Sequence, residues 1–232
     1  MTRFPRILLL LLGLILPAAP AAVFAQEESV RPGINKPYDT VNVEQKVKQF
    51  EDGTREVVQK LDAILDACEL KPGMTVADVG AGTGVFTRPF AARVAPEGKV
   101  FAVDITQKFL DHVARTCQEQ KIENVECVLC TAASTELPPQ SIDLAFTCDT
   151  YHHFEYPMKT LASIHQALRP GGRLIVIDFK KEEGANPKWV ADHVRADKKT
   201  VIEEATQAGF KLIDAPDLMK GQHLLRFEKV KT

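Results

Sequence analysis

The chain has 232 residues, of which 45% are hydrophobic and 26% charged, a composition typical of a globular domain that excludes wholesale disorder. Its 29 basic and 31 acidic residues give a net charge of −2, which argues against a dedicated nucleic-acid surface. Five cysteines are too few, and odd in number, for a disulfide scaffold. The length predicts one domain, here residues 41–232, with a short appendage.

The first 25 residues have the layout of a secretory signal. A basic start precedes the apolar run Ile7–Leu16, and Val23–Ala25 has the small residues of a cleavage site. Gln26 is then the mature N-terminus, and the protein is exported, either to the periplasm or out of the cell. The alternative is an uncleaved membrane anchor, which two prolines and a short apolar run disfavour. Contact with a membrane is expected only in that case.

The mature chain begins with an irregular lead-in, residues 26–40, in which Arg31–Tyr38 is either a lid or a solvated tail. Apolar residues at spacings of three and four then predict helix from Val43 to Cys68, with a break at Gly53. Beyond it, strand signals alternate with helical ones. The predicted strands are Thr75–Val79, Val100–Val103, Val125–Leu129, Ile142–Phe146, Leu174–Ile177, Phe210–Ile213 and Leu224–Val230, with a turn at Arg169–Gly172. This alternation predicts a doubly wound α/β sheet, mostly parallel and covered on both faces.

The closely spaced Cys127 and Cys130 invite a zinc or redox interpretation. Residues three apart on the strand Val125–Leu129 point to opposite faces, and no second cysteine pair or paired histidines complete a zinc ligand set. Buried, unpaired thiols are therefore the preferred interpretation.

In a doubly wound sheet the ligand lies at the carboxyl ends of the strands, so the turns after the strands are the candidate sites. The first turn has three glycines, Gly80, Gly82 and Gly84, which allow a ligand to lie against the backbone. Val85 occupies the position where a dinucleotide fingerprint has its third glycine or alanine, and the turn lacks the Lys-Ser/Thr ending of a phosphate-binding loop. The second strand ends at Asp104, whose position fits a carboxylate that binds ribose hydroxyls or, alternatively, a helix N-cap.

These segments resemble the class I S-adenosylmethionine-dependent methyltransferases, most closely the type 11 group that includes the ubiquinone and menaquinone biosynthesis enzymes. Residues 76–84 resemble the first motif of that family, and Asp104 matches the acidic residue of its second. Residues 141–146 with His152-His153-Phe154 resemble its fourth strand and loop, and residues 167–174 resemble the turn before its fifth strand. The resemblance covers roughly residues 60–180 and implies a Rossmann-like, seven-stranded sheet with an antiparallel last strand.

The resemblance implies S-adenosylmethionine as the cofactor and places the reaction in the loop after the fourth strand. The implied cofactor contacts are Asp78, Gly80, Ala81, Gly82, Gly84, Asp104, Ile105 and Asp149. His152 or His153 is the candidate base, with packing of the loop as the alternative role. Tyr151, Phe154 or Tyr156 is the candidate for a cation–π contact with the sulfonium. No metal is predicted, because adjacent histidines rarely converge on one ion, and Asp178 and His193 are second-line pocket candidates.

One segment departs from the family pattern. The family has an acidic residue after its third strand that contacts the adenine amine, whereas Thr131–Ser134 occupies that stretch here. Backbone groups, Thr131 or Ser134 are the candidates to replace it.

The sequence thus predicts transfer of a methyl group to a small or lipid-like acceptor, and no nucleic-acid partner. The alternatives are a catalytically silent cofactor-binding module and, less favoured, a nicotinamide-dependent oxidoreductase. The predicted export conflicts with a cofactor that is made in the cytosol.

Overall fold

A computed structural model of the chain describes residues 26–182 and 184–230, so the predicted signal segment lies outside the described residues. The strands are β1 Thr75–Val79, β2 Lys99–Asp104, β3 Val125–Leu129, β4 Ile142–Cys148, β5 Leu168–Phe179, β6 Phe210–Asp214 and β7 Gln222–Lys229. The helices are α1 Val43–Phe50, α2 Glu56–Gln59, α3 Leu61–Ala67, α4 Thr87–Val94, α5 Gln107–Glu119, α6 Pro157–Ala167, α7 Lys188–His193 and α8 Lys198–Gln207. Two short 3-10 helices cover Lys36–Tyr38 and Tyr151–His153.

The seven strands form one sheet in the order β3-β2-β1-β4-β5-β7-β6. The first five pair in parallel, and β7 runs antiparallel to both β5 and β6. This confirms the predicted doubly wound fold and its antiparallel last strand. The chain reverses its direction of winding between β1 and β4, which is where such sheets bind ligands.

Alternate residues of each central strand supply the two halves of the core. On β1, Val76 packs with α3 and α4, whereas Ala77 and Val79 face the layer of α6 and α8. On the α4 side, the rings of Phe90 and Phe146 are fully buried and meet edge to face with centroids 4.9 Å apart. Each such buried ring stabilises the fold by about 1.5–3 kcal/mol. The sheet is therefore a rigid support for the loops at its edge.

The strand ends lie within two residues of the predicted ones, except at the start of the fifth strand. The predicted break at Gly53 is confirmed, because α1 ends at Phe50 and Asp52 accepts a hydrogen bond from the Thr54 amide at 2.7 Å, which closes a local turn. The fifth strand begins at Leu168 rather than Leu174, since Leu168 pairs with Ile142 and the predicted turn is absorbed as an irregularity within the ladder. At their carboxyl ends, β4 and β5 extend two residues beyond the prediction, to Cys148 and Phe179.

All five cysteines are free thiols, and Cys68 and Cys117 are buried. Among residues 26–182 and 184–230, none of the helices has both the length and the apolar character needed to cross a membrane.

Candidate active site

A cleft of about 1080 Å³ opens at the carboxyl ends of β1, β2, β3 and β4. Of the residues predicted for the site, it is lined by Asp78, Gly80, Ala81, Gly82, Asp104, Ile105, Asp149 and His153. Gly84, Tyr151 and His152 are not among the lining residues. The structure therefore brings most of the predicted cofactor contacts together in one cleft, and only one of the three predicted catalytic side chains.

The glycine-rich turn is shaped by two hydrogen bonds and by close packing. The amides of Gly80 and Ala81 both donate to the carbonyl of Val103, at 2.8 and 3.0 Å, which folds the turn against the end of β2. Gly80 has φ +78°, and a Cβ there would come within 2.2 Å of the Thr150 side chain. Gly84 instead faces Arg88 and Val113, so its role is to let α4 and α5 pack and not to contact a ligand.

Asp104 ends β2 with a buried carboxylate. One oxygen accepts a hydrogen bond from the Gly82 amide and the other from the Thr106 amide, both at 2.8 Å. Burial raises the pKa of Asp104, and these amide hydrogen bonds oppose the rise. A carboxylate has about four lone-pair positions, so each oxygen keeps capacity for one further donor. The group is suited to accept hydrogen bonds from two neighbouring hydroxyls.

Asp149 lies at the opposite side of the turn, just after β4. One oxygen is 2.7 Å from the Arg55 guanidinium, and the other is buried without a hydrogen-bond partner in the described structure. Burial raises the pKa of Asp149 to about 6, although Arg55 lowers it. The residue has φ +49°, a conformation that costs energy outside glycine and that clusters at functional sites. The unpaired oxygen requires a donor, and a ligand ammonium would supply one.

Asp78 is the second buried acid of the cleft. Its carboxylate accepts a 2.6 Å hydrogen bond from the Thr87 hydroxyl, which ties the end of β1 to the first turn of α4. Burial raises the pKa of Asp78 to about 7, and the nearby Asp104 adds to the rise. Asp78 thus supports the turn from below while it lines the cleft.

The adjacent residues His152 and His153 lie in different surroundings, the first in the core and the second at the cleft. His153 lines the cleft, and burial together with His152 and His193 lowers its pKa to about 3. His152 is 2% exposed and its Nδ1 lies 2.7 Å from the carboxylate of Asp178. The backbone turns between them within the 3-10 helix, so adjacent side chains meet different surroundings.

Tyr151 corrects the sequence prediction that places its ring near the sulfonium. The side chain is fully buried, and its hydroxyl donates a hydrogen bond to Glu204 at 2.5 Å. Arg195 pairs with the same carboxylate at 2.8 Å. The ring belongs to the core beneath the loop, and Phe154 is the aromatic residue of this loop that lines the cleft.

The wall where an adenine would lie has no acidic side chain at the positions after β3. Cys130, Thr131, Ala132 and Ser134 line this part, together with Ile105 and Phe109 on the facing side. The Thr131 amide donates a hydrogen bond to the Ser134 carbonyl at 3.0 Å, so the segment is a closed turn. This wall can therefore contact an adenine through flat apolar surfaces and backbone groups.

The N-terminal elements supply further lining residues, of which the sequence analysis considers only those of Arg31–Tyr38, as one of two alternatives. Tyr38, Phe50 and Arg55 line the cleft, as does Asn35, whose amide donates to the His153 carbonyl at 3.1 Å. The available signal is weak: single aromatic residues in otherwise polar stretches, and one arginine at the start of α2. The lead-in segment therefore packs over the cleft in this structure.

Residues 77–176 match the family model described as a methyltransferase domain. A ubiquinone/menaquinone biosynthesis C-methyltransferase from Bordetella parapertussis is 31% identical over 112 residues, which are 48% of this chain and 43% of that protein. The chain thus spans less than half the length of this curated relative.

Solved structures extend the similarity over most of the fold. A S-adenosylmethionine-dependent methyltransferase from Aquifex aeolicus matches with a TM-score of 0.74 and 25% identity, covering 82% of this chain and 100% of that one. Geranyl diphosphate C-methyltransferase from Streptomyces coelicolor A3(2) matches with a TM-score of 0.64, 14% identity and coverage of 74% and 76%, which shows the fold alone. These comparisons agree with the sequence prediction of S-adenosylmethionine as the cofactor.

Proposed function

We propose that this chain, which carries a methyltransferase domain at residues 77–176, transfers a methyl group from S-adenosylmethionine to a small or lipid-like acceptor. The observation that carries the proposal is the pair of buried carboxylates on either side of the glycine-rich turn. Asp104 has free capacity for two hydroxyls, and Asp149 has an oxygen without a partner. A nucleoside joined to an amino acid presents both kinds of donor.

The residues present fit this cofactor from end to end. Gly80 and Gly82 leave the backbone open for close approach, and Asp104 would hold the ribose. Asp149 would pair with the ammonium, and Arg55 beside it would pair with the carboxylate of the methionine portion. When bound, the cofactor supplies an electrophilic methyl group, so the chain needs only to hold the acceptor in line with it.

Several of the residues that line the cleft are aromatic. Tyr38, Phe50 and Phe154 line it with His153, which suits a flat or apolar molecule. The neutral His153 ring can accept a hydrogen bond from an acceptor hydroxyl, because its pKa lies far below physiological pH. The same low pKa makes it a weak proton acceptor, which favours acceptors that are already nucleophilic, such as quinol-type carbons.

The test is methyl transfer from labelled S-adenosylmethionine to a panel of quinols and phenols. We expect a labelled product with at least one quinol, and a lower turnover in His153→Ala. If no member of the panel is labelled while the cofactor still binds, the assignment of this acceptor class is wrong. The silent cofactor-binding module then becomes the better account, supported by the missing acidic residue at Thr131–Ser134.

We propose in addition that residues 1–25 export the protein. Fusion of residues 1–40 to a reporter that is active only outside the cytosol tests this. Reporter activity with cleavage before Gln26 supports export, whereas an uncleaved fusion held in the membrane supports the anchor. An inactive fusion in the cytosol contradicts both.

A further inference from the structure

Three histidine side chains meet beside the cleft. His152 and His153 come from the 3-10 helix after β4, and His193 comes from the last turn of α7. Their ring centroids are 4.4, 5.0 and 5.2 Å apart, and one nitrogen from each ring lies within 4.8 Å of the others. The two elements are separated by some forty residues of chain, so this convergence is a property of the fold.

The spacing suits a tetrahedral metal ion. With metal–nitrogen distances of about 2.0–2.1 Å and tetrahedral angles, three imidazole rings have centroids about 5 Å apart. The observed separations lie close to this value, and small side-chain rotations would bring the nitrogens to ligand distance. Three ligands leave one position of a tetrahedral ion open.

Asp178 orients one of the rings from behind. Its carboxylate contacts His152 Nδ1 at 2.7 Å and accepts hydrogen bonds from the amides of His152 and Phe179, at 2.9 and 2.8 Å. Nδ1 is then the protonated nitrogen of His152, and Nε2 is left as the ligand atom. A carboxylate that receives the second nitrogen of a histidine ligand is the common outer partner of bound zinc.

The other two rings are also free to act as ligands. His153 Nδ1 is buried and has no hydrogen-bond partner in the described structure. The rings of Tyr38, Phe179 and Trp189 pack around the cluster and restrict water at its edge.

We propose that His152, His153 and His193 bind one divalent transition-metal ion of the zinc type, with Asp178 as the orienting partner. Imidazole ligands favour zinc over magnesium or calcium, which prefer oxygen. Because His153 lines the cleft, the ion lies at its rim with its open position available to an oxygen atom of the acceptor. This last role rests on the proposed function, whereas the metal site itself does not.

The test is calorimetric titration of the chelator-treated full chain with Zn²⁺, in the absence of S-adenosylmethionine. We expect one zinc per chain, loss of stoichiometric binding in His193→Ala, and about tenfold weaker binding in Asp178→Asn. His193 ends a short helix and is partly exposed, so its replacement leaves the core intact, which circular dichroism checks. His112→Ala on α5, outside the cluster, is the matched control and should bind zinc like the unaltered chain.

Replacement of zinc by Co²⁺ gives a second measurement, because the visible spectrum of Co²⁺ reports its coordination. A tetrahedral spectrum that disappears in His193→Ala supports the site. Absence of stoichiometric binding to the unaltered chain overturns the proposal, as does binding that His193→Ala and His112→Ala leave equally intact. Titration of the same metal-free chain with S-adenosylmethionine separates this result from a failure of the proposed function.

Discussion

The proposed pairing of Asp149 with the ammonium of the cofactor predicts that cofactor binding depends on pH. Burial raises its pKa to about 6 despite Arg55, and only the ionised carboxylate attracts an ammonium. We therefore expect the affinity for S-adenosylmethionine to fall about tenfold between pH 7 and pH 5, as the group becomes protonated. Calorimetric titration across this range measures the effect.

The pKa of Asp78 is about 7, so this residue titrates in nearly the same pH range. An Asp149 variant is therefore needed to show which of the two carboxyl groups causes the fall in cofactor affinity. Asp149→Asn should bind the cofactor weakly and lack the step near pH 6, while any step due to Asp78 persists. If the step near pH 6 is unchanged in Asp149→Asn, the ammonium is bound elsewhere.

His153 and Tyr151 should behave oppositely when they are changed. His153→Ala is expected to lower the turnover of an acceptor by about tenfold, since the acceptor loses a positioning contact. Tyr151→Phe removes a hydrogen bond to Glu204 and should cost about 1 kcal/mol of unfolding free energy with turnover unchanged. Steady-state kinetics and urea unfolding measure the pair, and a Tyr151→Phe chain with impaired turnover but normal stability would contradict this assignment.

At the residue scale, the sequence predicts the position of a side chain correctly where that position follows directly from the backbone of a predicted strand. Asp104 follows directly from the end of a strand, so its place in the cleft can be predicted. Tyr151 and His152 lie in a 3-10 helix whose rotation sends their side chains into the core, and that rotation has no sequence signal. The 4.4 Å separation between the ring centroids of His152 and His153 likewise has no sequence signal.

The glycine-rich turn holds the elements of the cleft in position. Gly80 and Gly171 both have positive φ, +78° and +77°, but only at Gly80 does a Cβ meet other atoms, at 2.2 Å from Thr150. Alanine at either position carries the backbone strain, about 1–2 kcal/mol. We expect Gly80→Ala to cost about 1–3 kcal/mol more than Gly171→Ala in urea unfolding, and to weaken cofactor binding. Equal losses in the two variants would show that the contact with Thr150 is not tight.

At the element scale, strand periodicity predicts all seven strands, and their order follows the expected winding. The start of β5 is missed because pairing with Ile142 extends the strand through an Arg-Pro-Gly-Gly sequence that locally favours a turn. Tertiary hydrogen bonding outweighs the local preference there. His193 is among the pocket candidates, but its approach to His152 and His153 on α7 is missed, since no local pattern reports which loops a helix approaches.

At the scale of the whole molecule, the parallel sheet places three turns around one cleft, and the N-terminal segment covers its open side. Asn35 and Arg55 link that segment to the loop after β4. The cleft therefore depends on parts of the chain more than ninety residues apart, as the link between Arg55 and Asp149 shows. Sequence motifs identify the part of the cleft that is formed by the turns after the strands. The contacts that the N-terminal segment makes with the cleft become visible only in the folded chain.

The central claim is that this cleft binds S-adenosylmethionine through Asp104. The most direct measurement is calorimetric titration of the full chain with S-adenosylmethionine, with NAD titrated in parallel. We expect one cofactor per chain, no binding of NAD, and an affinity about 10- to 100-fold lower in Asp104→Asn, since hydrogen bonds to a charged group contribute about 1.5–3 kcal/mol. Asp111→Asn on the exposed face of α5 is the control and should bind normally. Binding of NAD in place of S-adenosylmethionine, or equal affinity in Asp104→Asn and the unaltered chain, would contradict the account.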